Sequence, residues 1–303
     1  MLKKILSRFF LATYYFTIAI KKRGENIIIT RRFNAEYVFP ANADDWCADP
    51  FIAEDNGKAY LFYEKVENDL GRIEVVEIYD DCSVSKPTVI LSGHSHYSYP
   101  YVFKKSDKWY MIPESSALGE VCLYKATEFP YKWAKVETIL HEAAVDTTIF
   151  EYEGNTYLLT FIPKKSSECV EAKAYIFENN ELVPLKWTGA DKLSVRGAGA
   201  PFEYAGKLFR PVQVSTPVRY GDKVAFAEIS INGKEYSERI CCALEAANIA
   251  AKLRFYDGLH TYSASEQFEV IDIRCREFDI FKPVKKLWSI ISKLIKHTPG
   301  DRR

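Results

Sequence analysis

A chain of 303 residues, 48% hydrophobic and 15% aromatic, has enough apolar material for a large core, and all-β closed folds reach this length as one domain. The 41 basic and 41 acidic side chains cancel, so the basic excess that marks a nucleic-acid partner is absent. Seven cysteines stand singly apart from one adjacent pair, without CxxC spacing, which argues against a thiolate metal site or a disulfide framework and for reduced thiols in a cytoplasmic protein.

At the N-terminus, Met1-Leu2-Lys3-Lys4 and the apolar stretch Phe9 to Ile20 imitate a secretory signal. The stretch is short, lacks a small-residue cleavage site and runs directly into Lys21-Lys22-Arg23. Tyr14 to Ile20 (YYFTIAI) is rich in β-formers and predicts a strand, near 14 to 30, that completes the last sheet of a closed ring.

The segment WCADPFIAEDNGKAYLFYE (46 to 64) then recurs in weakened form four times. Asp49-Pro50 aligns with Tyr99-Pro100, Asp146-Thr147, Ala200-Pro201 and, loosely, His260-Thr261, at steps of 50, 47, 54 and 60 residues. The second strand of each unit aligns Tyr60 to Glu64 with Tyr110 to Glu114, Tyr157 to Phe161 and Phe209 to Gln213. The turns between them read Asn56-Gly57-Lys58, Ser106-Asp107-Lys108, Gly154-Asn155 and Gly206-Lys207, which are hairpin signals. A repeat of this length with about four strands per unit predicts an all-β, five-bladed β-propeller over residues 1–278, with blades at about 44–91, 97–140, 144–187, 197–240 and 254–276. The Ala-rich run 241–253 (CCALEAANIAAKL) predicts a short helix.

Residues 279–303 differ in kind. From Pro283, Val284, Leu287, Trp288, Ile291, Leu294 and Ile295 fall on one helical face bordered by Lys285, Lys286, Lys293 and Lys296. A basic amphipathic helix over 283–297 suits peripheral contact with an anionic membrane surface; docking on its own propeller or on a second subunit is the other reading.

In a propeller the starts of the inner strands converge at one mouth, so Asp49 and Asp146 are expected to face a shared pocket from alternate blades. Carboxylates set across a pocket are what glycosidic-bond chemistry needs, one to protonate the leaving oxygen and one to orient water or attack carbon. Glu114 lies where Pro113 interrupts the ladder and aims the side chain, and joins them as a candidate catalytic acid. Glu64, its equivalent in blade one, reads as solvated or structural. Candidate substrate-binding residues are Trp46, His94, His96, Tyr99, Arg196, Arg210 and Gln213: an aromatic platform, a histidine pair on one strand face, and arginines suited to an anionic group. The sequence calls for no metal and no cofactor.

The segments WCADPF, YLFYE, HSHYSYPYVF, YMIPES, LYKATEFPYKW, VDTTIFEYEGNTYLL, SVRGAGAPF, RPVQ and YGDKV resemble the N-terminal domain of plant glucosamine inositolphosphorylceramide transferases and its bacterial relatives. That domain is similar in turn to the five-bladed propellers of arabinanase-, xylosidase- and invertase-type glycoside hydrolases. The resemblance implies a general base or nucleophile at Asp49 and a transition-state-stabilising acid at Asp146. The hydrolases' general acid, a Glu of blade four, has no match here, because the equivalent strands offer Ala200, Arg210 and Gln213, with Glu203 on the other alternation. The plant transferases place sugar transfer in a different domain.

Two readings follow. One is a carbohydrate-active enzyme acting on a glycan or activated sugar in polysaccharide or glycolipid biosynthesis, by hydrolysis or transfer. The other is a non-catalytic sugar-binding or assembly module of a membrane-associated polysaccharide pathway.

Overall fold

The computed structural model describes residues 12–67, 69–164, 170–179, 181–188, 195–216 and 219–278. The C-terminal helix expected over 283–297, and the tail assigned to 279–303, lie outside them.

Five antiparallel sheets are arranged as the blades of a propeller. Blade one comprises Asp45–Asp55, Lys58–Glu67, Leu70–Ile78 and Thr88–Leu91, and blade two Ser98–Lys105, Lys108–Glu114, Val121–Glu128 and Lys132–Leu140. Blade three comprises Val145–Tyr152, Asn155–Pro163, Val170–Glu178 and Glu181–Pro184. In blade four the inner strand is broken into Val195–Gly197 and Phe202–Tyr204, followed by Lys207–Thr216, Arg219–Asn232 and Glu235–Glu245; Lys186–Thr188 pairs parallel at the outer edge. Blade five mixes both ends of the chain: Tyr256–Gly258 and Tyr262–Ala264 inside, then Phe268–Phe278, then the N-terminal strand Ala12–Lys22, and Tyr37–Val38 outermost.

The turns follow from local sequence. Asn56 and Gly57 (φ 50° and 77°), Ser106 and Asp107 (48° and 58°), Glu153 and Gly154 (47° and 76°), and Ala205 and Gly206 (51° and 71°) each place two consecutive residues in the left-handed region. Such two-residue loops match the twist of the strands they join.

Closure rests on alternating side chains that meet between neighbouring blades. Phe62 and Val75 of blade one meet Val102 and Met111 of blade two. Tyr101 and Ile112 meet Ile149 and Leu158 of blade three, whose Leu159 and Phe161 meet Leu208 and Ile229 of blade four. Val224 and Phe226 meet Ile271 and Ile273 of blade five, whose Ile18, Ile20 and Val270 meet Cys47 and Leu61 of blade one. Ile18 and Ile20 are wholly buried, each contributing about 1.5–3 kcal/mol. The N-terminal strand therefore closes the ring, in register with Phe268–Phe278 from Ala12↔Phe278 to Lys22↔Phe268.

Two expectations are corrected. The closing strand stops at Lys22, and Ile27–Thr30 forms one helical turn whose first turn is capped by Asn26 Oδ1 accepting from Ile28 N at 2.9 Å. Residues 241–245 continue a strand, followed by a single 3-10 turn over Ala246–Asn248 and the strand Ile249–Ala250. Burial alternates there, with Cys242 and Leu244 inward, and this period of two outweighs the helix preference of the alanines. Among the described residues no helix is long and apolar enough to cross a membrane.

Candidate active site

The inner strands of blades one, two and three share one irregularity. Ala48 pairs with Glu64 and Phe51 with Phe62, so two residues oppose one; Ser98/Tyr101 and Val145/Thr148 repeat the slip. At each bulge one residue takes a left-handed backbone: Asp49 (φ 50°), Tyr99 (φ 45°) and Asp146 (φ 52°). Bulges re-aim side chains, and positive φ in residues other than glycine concentrates at functional positions.

The result is an axial cavity of about 220 Å³, whose walls include Trp46, Asp49, Glu64, His96, Glu114, Asp146, Arg196, Gln213, Tyr220 and His260. Asp49, Asp146 and Glu114, the three acids singled out from sequence, all reach it.

Each acid has a different environment. Asp49 accepts from Thr261 Oγ1 at 2.8 Å and from Tyr99 N at 3.2 Å. Burial pushes its carboxyl up to about 7, against the lowering pull of His260, with Glu64, Asp272 and Asp146 adding to the rise. Asp146 receives both prongs of the Arg196 guanidinium, at 2.7 and 2.8 Å. Glu114 lies 3.5 Å from the same guanidinium, and burial followed by repulsion from Asp146 pushes it up to about 8 despite Arg196. Glu64, only 4% exposed, pairs with His96 Nε2 at 2.6 Å. Gly71 N donates to His96 Nδ1 at 3.0 Å, so Nε2 carries the ring proton that points at Glu64.

Blade five supplies a hub that sequence reasoning passed over. Asp272, wholly buried, accepts from the backbone N–H groups of His260 and Thr261, both at 2.9 Å, and of Asp49 at 3.1 Å. It also pairs with His260 Nδ1, while Nε2 faces Asp49 Oδ1 at 3.7 Å. Burial alone lowers the imidazole pKa, but Asp272 and Asp49 outweigh it and raise His260 to about 9. Phe16 stacks on the ring at 4.2 Å and Tyr220 meets it edge-on at 5.4 Å.

Donor atoms of Asp49, His260 and Asp272 lie within 4.8 Å of one another, close enough to hold a cation. The fit is poor, because His260 sits between two carboxylates as a proton donor and its imidazolium already supplies the positive charge.

The remaining sequence candidates divide. Trp46, His96, Arg196 and Gln213 line the cavity, whereas His94 is exposed outside its lining. Tyr99, 1% exposed, lies beneath it, its hydroxyl accepting from Gly199 N at 3.0 Å and so tying blade two to blade four. Arg210 is directed away from it. It is 2% exposed, forks onto Glu238 through Nε and Nη2, the latter at 2.9 Å, lies against Phe161 and Trp187, and donates to the Arg196 carbonyl at 3.2 Å. Its place is structural support beneath Arg196 rather than substrate contact. Gly197 is required nearby, since a Cβ there would lie 2.7 Å from that of Asp146.

The sequence profile described as "Glucosamine inositolphosphorylceramide transferase 1, N-terminal" matches residues 24–267. The chain belongs to this family. It is 29% identical over 229 residues to glucosamine inositolphosphorylceramide transferase 1 of Oryza sativa subsp. indica, covering 70% of this chain and 30% of the plant protein. The Arabidopsis thaliana protein of the same name is 28% identical over 225 residues, covering 69% and 28%. The family member described here thus spans less than a third of those relatives.

Among solved structures, CoXyl43, a GH43 β-xylosidase/α-arabinofuranosidase from a compost microbial metagenome in complex with xylotriose, superposes with a TM-score of 0.53 at 14% identity, covering 86% of this chain and 94% of that one. A Bombyx mori GH32 β-fructofuranosidase mutant in complex with sucrose gives 0.52 at 14%, covering 69% and 53%. At these identities the likeness shows a common fold.

Proposed function

We propose that the axial cavity binds a sugar and makes or breaks its glycosidic bond. Glu114 gives its proton to the leaving oxygen as the bond from the anomeric carbon breaks, and Asp49 activates the incoming water or hydroxyl, or attacks the carbon itself. Asp146 holds Arg196 against Glu114. The observation that carries this reading is the convergence of Asp49, Glu114 and Asp146 from three blades on one cavity, Asp49 beside the His260 imidazole and Glu114 beside the Arg196 guanidinium, with burial raising both Asp49 and Glu114 above the ordinary carboxylate range. A buried carboxyl raised toward neutral pH is suited to giving or taking a proton there. At about 220 Å³ the cavity is smaller than the roughly 300–1,000 Å³ of drug-sized ligand sites and suits one sugar ring.

The relatives support a sugar as the ligand class: plant transferases named for glucosamine, and structural neighbours in complex with xylotriose or sucrose. A biosynthetic role on the cytoplasmic face of a membrane, with 283–297 against the lipid, belongs to the same proposal and rests on the cysteine pattern and the basic amphipathic segment.

The test is turnover of a panel of aryl glycosides and nucleotide sugars, with calorimetry of monosaccharide binding, on the wild type, Glu114→Gln and Asp49→Asn. Loss of rate by about 10²–10⁴-fold with binding retained supports the assignment. A second reading, sugar recognition without chemistry, is favoured by the engagement of Asp146 with Arg196 and of Asp49 with Thr261 and Tyr99; binding without turnover in the wild type selects it. If Asp49→Asn changes neither binding nor turnover, the site is wrongly placed.

A further inference from the structure

Resting on the glycosidic chemistry proposed for the axial cavity, we infer that the substrate carries a second, neutral sugar ring on the leaving side of the scissile bond, and that Tyr220 is the surface on which this ring lies. The segment YGDKV (220 to 224) supplies neither the acid nor the base, yet its tyrosine lines the cavity. Tyr220 sits where the pairing of Lys207–Thr216 with Arg219–Asn232 slips, between Val214↔Lys223 and Thr216↔Arg219. Such a slip takes a side chain out of the ordinary alternation and re-aims it.

The backbone around the tyrosine is fixed. Gln213 Nε2 donates to Ser215 Oγ at 3.0 Å, the same oxygen accepts from Gly221 N at 3.2 Å, and Arg219 Nη1 donates to Asp222 Oδ1 at 2.7 Å. Gly221 (φ 64°) lets the chain run close against blade five, since a Cβ there would lie 3.1 Å from that of His260 and 3.3 Å from Phe16 Cζ. Phe16 meets the tyrosine ring at right angles with centroids 6.4 Å apart, and His260 meets it edge-on at 5.4 Å. Within this frame Tyr220 remains 47% exposed. An aromatic surface held in place before binding loses little conformational freedom when a ring settles on it.

One guanidinium joins that surface to the proton donor. Arg196 Nη2 lies 3.5 Å from Glu114 Oε2, and Nη1 of the same group donates to the Tyr220 hydroxyl at 3.4 Å. The oxygen that takes the Glu114 proton belongs to the leaving group, so the atoms beyond it emerge beside Arg196 and meet Tyr220. The cavity of about 220 Å³ accommodates the ring that is attacked, which places the next ring at the rim.

Charge decides what kind of leaving group fits. The lining carries four carboxyl groups against Arg196, His96 and His260, and each of these three already faces one of the acids. A phosphorylated leaving group meets more acid than base on this wall, whereas the C–H face of a neutral sugar ring needs only an aromatic surface to cover it.

The test compares affinity for two rings with affinity for one. The full chain is titrated calorimetrically with xylose and xylobiose, glucose and cellobiose, and fructose and sucrose, as wild type, Tyr220→Phe and Tyr220→Ala; a pair whose disaccharide is cleaved is titrated in the Glu114→Gln background. The quantity read is the ratio of two-ring to one-ring affinity within each protein, which a general loosening of the fold does not move. A ratio of about tenfold or more for at least one pair, kept in Tyr220→Phe and reduced to about one in Tyr220→Ala, is the expected result. A ratio near one in the wild type, a ratio that survives in Tyr220→Ala, or one that Tyr220→Phe also loses overturns the platform and leaves the axial site standing. Binding of none of these sugars at millimolar concentration overturns the axial reading and the platform with it.

Discussion

Replacing Glu114 by Gln should make the protein more stable, and increasingly so as pH rises. In the unfolded chain this carboxyl loses its proton near 4.5, but in the folded protein it holds it to about 8. Between those values the folded state binds the extra proton, so its stability falls as pH rises, and above about 8 the full cost of a buried carboxylate next to Asp146 is present. The span from 4.5 to about 8, at about 1.4 kcal/mol for each tenfold change, bounds the effect at about 5 kcal/mol. The 3.5 Å contact with Arg196 already holds that value down, so about 5 kcal/mol is the most the substitution gains, reached at the alkaline end, with a gain near zero at pH of about 5. Urea unfolding of both proteins at pH of about 5, 7 and 9 reads this directly, provided the urea slopes agree. A gain that is flat across pH, or a variant weaker than the wild type at the alkaline end, would refute the reasoning.

Two further outcomes follow from the same geometry. Arg210→Met strands the buried Glu238 carboxylate and should cost about 3–5 kcal/mol in equilibrium unfolding, most of it recovered in Arg210→Met/Glu238→Leu; a loss below about 1 kcal/mol would show that the pair is solvated. Asp272→Asn removes the main partner that keeps His260 protonated, so the imidazole midpoint followed by NMR should fall from about 9 toward its usual 6.5. The raised folded value means that this interaction stabilises fully below 6.5 and is lost as pH rises through about 9, so the variant should lose most stability at neutral and acid pH. An unmoved midpoint would remove Asp272 from the role given to it here.

The blade repeat was legible because it is carried by adjacent residues: a bulge residue before Pro or Thr, a two-residue turn, and an apolar strand ending in an acid. Asp49 and Asp146 share a register that spacing alone exposes. What spacing misses are contacts between distant segments. Asp272 acts through Asp49, 223 residues away, and nothing in the local sequence of the last strand announces it, although the loose alignment of His260-Thr261 with Asp49-Pro50 was the available signal. Glu64 looked solvated amid KVEND, yet it faces Ala48 across the bulge and so turns to the axis. Arg210 failed for the opposite reason. A buried arginine has the same one-letter appearance as a ligand-binding one, and only Glu238, contributed from two strands away in the same blade, reveals its direction.

The pairing of residues 12–22 with 268–278 sets an order on biosynthesis. The first strand leaves the ribosome long before its partner exists, and at about 5–20 residues per second it waits roughly 13 to 50 seconds. Throughout that interval Ile18 and Ile20, destined for complete burial, have no sheet to join, which makes the nascent chain a natural client for chaperones that hold apolar β-prone segments.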